Sequence, residues 1–267
     1  MERISSAHNS LVGLVRSLAL RKHRKDTGLF VAQGLEHARK AKLNGFTPHT
    51  LLFDSDHAAE MQAAEIIAWG KAAGARLAAL PSSLFTRISG RDNPQSPLMI
   101  FFQRWQPLED RPPADPCVLV LDSVRDPGNL GTIMRTAEAS ATKRLYLMGQ
   151  SCDPFSPEAV RASAGSVFAM KMSSLTRDQF SKIAKGWTGD IVGTHVEAAG
   201  SFRQPYRRPV LLLMGSESRG LPDELAAACT KLVRIPMAQG VQSLNLAAAT
   251  ALMLYELQLP FITDQRS

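Results

Sequence analysis

A two-domain α/β protein with a mostly parallel sheet in its second domain is the fold class this sequence predicts. Three observations carry that expectation. From residue 117 to residue 257, strand-like apolar runs alternate with helical stretches, a pattern that packs as a parallel sheet with helices on both faces. Several runs, among them Val118-Leu119-Val120-Leu121 and Val210-Leu211-Leu212-Leu213, are continuously apolar, as a doubly covered sheet requires. Between residues 104 and 117, "RWQPLEDRPPADPC" holds four prolines and breaks both helix and strand periodicity. The expected division is residues 1–103, a linker over 104–116, and residues 117–267.

The first domain reads as mixed α/β. "SAHNSLVGLVRSLALRKHR" (6–24) places Leu11, Leu14, Val15 and Leu18 at helical spacing. Its basic residues fall toward its C-terminal end, where they suit the helix dipole. "GLFVAQG" is a short strand, and "LEHARKAKLNG" a helix stopped near Gly45. "TLLF" is a strand, followed by the helix "HAAEMQAAEIIAWGKAAG". "RLAAL" and "LMIFFQ" are further strands, separated by the polar loop "SGRDNPQSP" that carries Arg91.

The second domain alternates regularly. "CVLVLDSV" (strand) leads to "GNLGTIMRTAEAS" (helix), "RLYLMG" (strand), "SPEAVRASAGS" (helix) and "VFAMKMSSL" (strand). "TRDQFSKIAK" (helix), "DIVGTHV" and "PVLLLMG" (strands), "LPDELAAAC" (helix) and "LVRIPM" (strand) continue the series. "SLNLAAATALMLYEL" closes it as a helix that is apolar almost all round, which calls for burial on more than one side. A subunit interface would supply the second side.

Composition narrows the function classes. The chain has 267 residues, 45% hydrophobic and 21% charged, which suits a globular protein. No apolar run reaches the roughly 20 residues that span a bilayer, and the N-terminus lacks a signal-like apolar core, so a cytoplasmic protein is expected. Cys117, Cys152 and Cys229 are widely spaced without a CxxC, and the six histidines form no HExxH. Neither a disulfide framework nor a metal site is expected. The net charge is +7, and nine Lys/Arg against three acids fall in residues 1–43. That concentration favours a polyanion partner.

Three stretches could carry chemistry. In "LDSVRDPGNLGTIMRTAEAS" (121–140), a polar loop after a buried strand leads into a helix expected from about Leu130, with Asn129 at its mouth and Arg135 among residues that pack. It is neither a Walker A loop nor a GxGxxG turn. In "MGSESRGLPDEL" (214–225), Gly215, Glu217 and Arg219 follow the strand Val210–Leu213. Strand ends of this kind bind ligands in open α/β sheets. Gly215 would let a ligand approach the backbone. Glu217 could accept a substrate hydroxyl or hold an arginine. In "RIPMAQGVQSLNLAAATALMLYEL" (234–257), a loop through Gly240 reaches Ser243, which suits an N-cap for the closing helix.

In this order and spacing, the three stretches resemble the signature motifs of the SpoU (TrmH-type) branch of the SPOUT RNA methyltransferases. "VRASAGSVF" (160–168) is a fourth family-like stretch, and the resemblance spans nearly all of 117–258. The N-terminal region resembles the L30e-like RNA-binding domain of many members. The chain departs from the family's common pattern at Ser140-Ala141, Ser218 and Gln33. The resemblance implies a trefoil-knotted domain, a homodimer formed through it, and S-adenosyl-L-methionine as cofactor without a metal. It assigns Asn129, Arg135, Glu217, Ser243 and Asn245 to the active site. It assigns Thr194, Gly215, Ile235 and Leu244 to the cofactor pocket.

The reaction so implied is methylation of a ribose 2′-hydroxyl in structured RNA. Arg135 matches the residue that acts on the hydroxyl, yet a guanidinium, with a pKa above about 12, is a poor base in water. It would orient the hydroxyl or a phosphate unless its site depresses that pKa. Arg16, Arg21, Lys22, Arg24, Lys25 and Arg91 are the expected RNA-binding residues. Ribosomal RNA, most specifically 23S, is the favoured substrate, with tRNA the alternative. A catalytically silent RNA-binding or ribosome-assembly protein on this scaffold would lack Arg135, Glu217 or Asn245, and all three are present. A small-molecule α/β enzyme would lack the basic N-terminal segment.

Overall fold

The computed structural model of the chain describes residues 1–55, 61–91, 93–109, 113–217 and 220–263. Two compact units emerge: Met1–Gln103 with Asp153–Ala169, and Arg104–Cys152 with Met170–Ser267.

The first unit is built on strands β1 (Glu2–Arg3), β2 (Leu29–Gln33), β3 (Pro48–Asp54), β4 (Arg76–Leu80) and β5 (Leu98–Phe102). Their order is β1-β4-β3-β5-β2, with β5 antiparallel to both neighbours and the other pairs parallel. Helices α1 (Ser10–Ser17), α2 (Arg21–Thr27), α3 (Leu35–Leu43), α4 (Met61–Ala72) and α5 (Ser82–Ser89) complete it. Part of the expected helix before β4 falls on residues 56–60, outside the described residues.

One core joins Leu11, Val12 and Val15 of α1 to Leu84, Phe85 and Ile88 of α5 over the sheet. In another cluster, Phe30, Phe46 and Phe101 meet aromatic rings of the 153–169 segment. Phe30 lies 4.8 Å from Phe155, and Phe101 and Phe46 each 5.0 Å from Phe168. These rings explain why a segment so distant in sequence belongs to this unit.

The long helix expected over 6–24 is two helices. Asn9 caps α1 by accepting from the Leu11 N–H at 2.9 Å. The chain leaves helical geometry at Leu20 (φ −92°, ψ 131°) before α2 begins. The break leaves carbonyls at the end of α1 without helical partners. Arg24 fills that need: its Nη1 donates to Leu18 O and Ala19 O, both at 2.8 Å. Its Nε donates to Asp153 at 2.7 Å, and its side chain is only 4% exposed. Arg24 is therefore a structural residue, and the expectation that it binds RNA is corrected. Removing one partner of a buried ion pair costs about 3–5 kcal/mol. Arg24→Met is expected to destabilise the protein by that order in denaturant melts; an unchanged midpoint would refute the capping role.

The second unit holds a seven-stranded parallel sheet of β6 (Cys117–Asp122), β7 (Arg144–Met148), β8 (Lys171–Leu175), β9 (Ile191–Thr194), β10 (Gly200–Ser201), β11 (Val210–Met214) and β12 (Lys231–Arg234). The order is β10-β12-β9-β11-β6-β7-β8. Helix α6 (Pro127–Ala139) follows β6 and starts ahead of Leu130, one residue before the stretch from Gly128 read as helical. Asp126 caps it by accepting from Asn129 N–H at 2.6 Å, and Pro127 takes the first helical position. Helix α7 (Pro157–Ala162) lies on the segment that joins the first unit. The strand expected over 167–175 begins only at Lys171, because Gly165 (φ +90°) opens a 3-10 turn over Ser166–Phe168. Helix α8 (Arg177–Lys185) starts with a capping box of Thr176 and Gln179.

Helices α9 (Asp223–Ala227) and α10 (Leu246–Thr263) end the chain. Where the linker was expected, residues 104–109 and 113–116 contact this unit. Gln106 N–H donates to Met172 O at 2.7 Å, and Arg144 pairs with Glu109 and Asp115 at 3.2 and 2.8 Å. No helix among the described residues is long and apolar enough to cross a membrane.

Candidate active site

Strands β12, β9 and β11 lie side by side and parallel, so their carboxyl ends open together. There they border a cavity of about 440 Å³, within the range of small-molecule sites. Thr194 enters its wall from the end of β9, Gly215 and Glu217 from the turn after β11, and Ile235 from the end of β12. Ser243 and Leu244 reach it from the loop before α10. Sequence reasoning missed His195, Met237 and Gln242, which also line the cavity; each lies within two residues of an expected one.

Gly215 cannot carry a side chain here. A Cβ would sit 2.1 Å from Gly220 O and 2.5 Å from Leu221 N. The turn folds back so closely that the Gly220 N–H donates to Ser216 O at 3.0 Å. The sequence ascribed this glycine to approach by a ligand; the chain's own turn already requires it. Arg219 lies outside the described residues.

Beside the cavity, side chains from all three stretches meet. Asn129 Nδ2 donates to Glu217 Oε1 at 2.8 Å. Asn245 Nδ2 donates to Asn129 Oδ1 at 3.0 Å. Asn245 Oδ1 in turn accepts from the Ala247 N–H at 2.9 Å and from the Ala248 N–H at 3.3 Å. Asn245, not Ser243, therefore caps α10, and Ser243 is left exposed on the cavity wall. The cap fixes the Asn245 amide, which fixes that of Asn129, which holds the Glu217 carboxylate.

Arg135 stands apart from this junction. It is exposed on α6, is absent from the cavity lining, and makes no hydrogen bond or ion pair among the described residues. The expectation that it sits among packed residues is corrected: Ile133, Met134 and Ala137 take the buried face of α6, and Arg135 the other. Within the chain, Glu217 is held by Asn129 rather than by Arg135.

In the first unit, Arg21, Lys22 and Lys25 are exposed on α2. Arg16 and Arg91 line a separate cavity. Among the described residues, no group of His, Cys, Asp and Glu could hold a metal ion.

Helix α10 packs on α6 with Met253, Leu254 and Leu257 buried, while Leu252, Tyr255 and Leu259 are 42%, 43% and 52% exposed. Their spacing puts the exposed three on one face.

Comparison with known proteins adds three findings. The profile of the SpoU rRNA Methylase family matches residues 116–255, and that of the MRM3-like substrate binding domain matches residues 9–98. The crystal structure of AdoMet-bound rRNA methyltransferase from Sinorhizobium meliloti is similar at TM-score 0.89 and 38% identity, covering 97% of this chain and 98% of that one. Among curated relatives, a 23S rRNA (uridine(2479)-2′-O)-methyltransferase of Streptomyces viridochromogenes is 28% identical over 90% of this chain and 85% of its own length. An uncharacterized tRNA/rRNA methyltransferase of Synechocystis is 36% identical over 54% of each chain, so this chain spans about half of that relative.

Proposed function

Because the chain belongs to the SpoU rRNA methylase family, we propose that it methylates a ribose 2′-hydroxyl of ribosomal RNA in the cytoplasm, with S-adenosyl-L-methionine as donor. The observation that carries the reading is the junction of Asn129, Glu217 and Asn245, drawn together from three distant stretches beside the cavity that Glu217 lines. Relatives named for methylation of 23S rRNA favour ribosomal over transfer RNA.

The cavity suits the cofactor in size and in its mixed polar and apolar walls. Thr194, Gly215, Ile235 and Leu244 would hold it, largely through backbone groups at the strand ends. Bound there, S-adenosyl-L-methionine supplies a methyl group made electrophilic by its sulfonium.

The chain's own residues then have to place the hydroxyl oxygen in line and dispose of its proton. Asn129 and Asn245, locked by their mutual hydrogen bond, give the ribose a fixed edge of amide groups. Ser243, exposed on the wall, offers a hydroxyl to the adjacent phosphate. Arg135, exposed on α6 outside the cavity lining and unpaired among the described residues, is free to hold an RNA phosphate by charge-assisted hydrogen bonds and through it to orient the 2′-hydroxyl. The proton leaves to a phosphate oxygen or to water. The test is direct: S-adenosyl-L-methionine should raise the melting temperature of the protein, while NAD and ATP should not. Stabilisation by NAD or ATP alone would support a small-molecule enzyme instead.

The same reading includes a homodimer. The face of α10 bearing Leu252, Tyr255 and Leu259 is apolar and exposed in the single chain, and a second copy would cover it. Leu252→Arg with Leu259→Arg is expected to halve the mass measured by light scattering. A monomeric wild type, or an unchanged mass in the variant, would remove α10 as the interface.

A further inference from the structure

The first unit holds a second cavity, of about 370 Å³, that the proposed reaction does not use. Arg16 of α1, Arg87 of α5, Arg91 of the following loop and Arg161 of α7 all line it, against one lining carboxylate among the described residues, Glu158. These four arginines come from elements up to 145 positions apart in the chain, so only the fold gathers them. Burial holds the Arg91 guanidinium below its ordinary pKa, and the charge of Arg161 pushes the same way. Among the described lining residues, four guanidiniums thus face one carboxylate, an excess of positive charge that an anion would relieve.

The rest of the wall is not a phosphate site alone. Val31, Ile88 and Val160 give it an apolar floor. His37 is buried there, its Nε2 3.1 Å from Val160 O, and desolvation lowers its pKa, which favours the neutral ring. Gln33 donates from Nε2 to Ser89 O at 2.8 Å, while its buried Oε1 has no hydrogen-bond partner among the described residues. Apolar floor, neutral polar groups and a guanidinium rim together match one nucleotide: a base against the floor and its flanking phosphates on the arginines.

We propose that this cavity captures a single unstacked nucleotide of the substrate RNA, away from the methylated one. The assignment rests on the reading of the chain as an RNA-modifying enzyme. Single-stranded nucleotides present faces and edges that a duplex hides, so the cavity would select for a loop or bulge.

The experiment uses the full chain and a fluorescein-labelled single-stranded RNA heptamer, with a duplex of the same sequence and free 5′-UMP as further probes. Arg87→Gln with Arg161→Gln is expected to weaken heptamer binding at least about tenfold. The slope of log K against log salt should fall by about 1.4, at about 0.7 per lost contact. Ala19→Trp removes no charge but fills the cavity from its edge, and should weaken the heptamer similarly while leaving the duplex alone. Melting temperature and S-adenosyl-L-methionine affinity should not move in either variant.

A silent Ala19→Trp, with heptamer and duplex weakened alike by the arginine variant, would reduce the cavity to a patch of surface charge and overturn the proposal. Binding of 5′-UMP without the heptamer would overturn its assignment to RNA. Methyl transfer to rRNA by wild type, with an unchanged KM in both variants, would sink the cavity and leave the enzyme standing. Variant-sensitive heptamer binding by a wild type that transfers no methyl group would do the reverse.

Discussion

Arg135→Ala is expected to lower methyl transfer by about 10²–10⁴-fold, the range for a group acting on the proton or the charge in a transition state. The same substitution should leave stability within about 0.5 kcal/mol, as surface changes do. The separation follows from its position: Arg135 is exposed on α6, and no hydrogen bond or ion pair within the described chain is lost with it. Arg135→Lys distinguishes its two possible tasks. A lysine keeps the charge but loses the planar fork, so partial rescue would favour charge stabilisation, and none would favour bidentate positioning. Unimpaired transfer by the alanine variant would place the critical group elsewhere.

Gly215→Ala should produce the second large effect, on cofactor binding. Its Cβ would lie 2.1 Å from Gly220 O, a backbone atom that cannot swing aside as a side chain could. The turn must move, and Glu217 and the cavity wall move with it. Overpacking of this kind costs about 1–3 kcal/mol. Expressed as lost affinity for S-adenosyl-L-methionine, that is about 5–150-fold. Calorimetric titration measures it. Wild-type affinity in a folded Gly215→Ala variant would show that the turn is not part of the cofactor site.

The two substitutions also separate what the sequence can and cannot convey. The place of Gly215 and Glu217 on the cavity wall was legible because a continuously apolar strand announces its end, and clefts in open α/β sheets form at such ends. The parallel sheet was legible for the same reason, since runs such as Val118–Leu121 cannot face water on either side. The hydrogen bond between Asn129 and Glu217 was not, because the two residues are 88 positions apart and nothing local marks their meeting.

Arg24 shows a different limit. Counting charges along residues 1–43 treats every arginine as surface, whereas this one is consumed by two carbonyls and Asp153. The same blindness hid Arg87 and Arg161. Each is an ordinary helical arginine in sequence, and only the packing of α5 and α7 brings them to one cavity. Helix α5 itself was overlooked because it has only eight residues, although Pro81 before it and Gly90 after it (φ +65°) are ordinary boundary signals.

The central claim is transfer of a methyl group to a ribose 2′-hydroxyl of ribosomal RNA, and one measurement tests it most directly. The purified protein is incubated with radiolabelled S-adenosyl-L-methionine and unmodified 23S rRNA, with tRNA and the Arg135→Ala variant in parallel, and the RNA is hydrolysed in alkali. A blocked 2′-hydroxyl cannot attack its neighbouring phosphate, so a methylated ribose survives as a labelled dinucleotide. The expected result is label in alkali-resistant dinucleotides from rRNA, absent with tRNA and lost with Arg135→Ala. Label released as mononucleotides would place the methyl group on a base and contradict the account, as would the absence of label from rRNA.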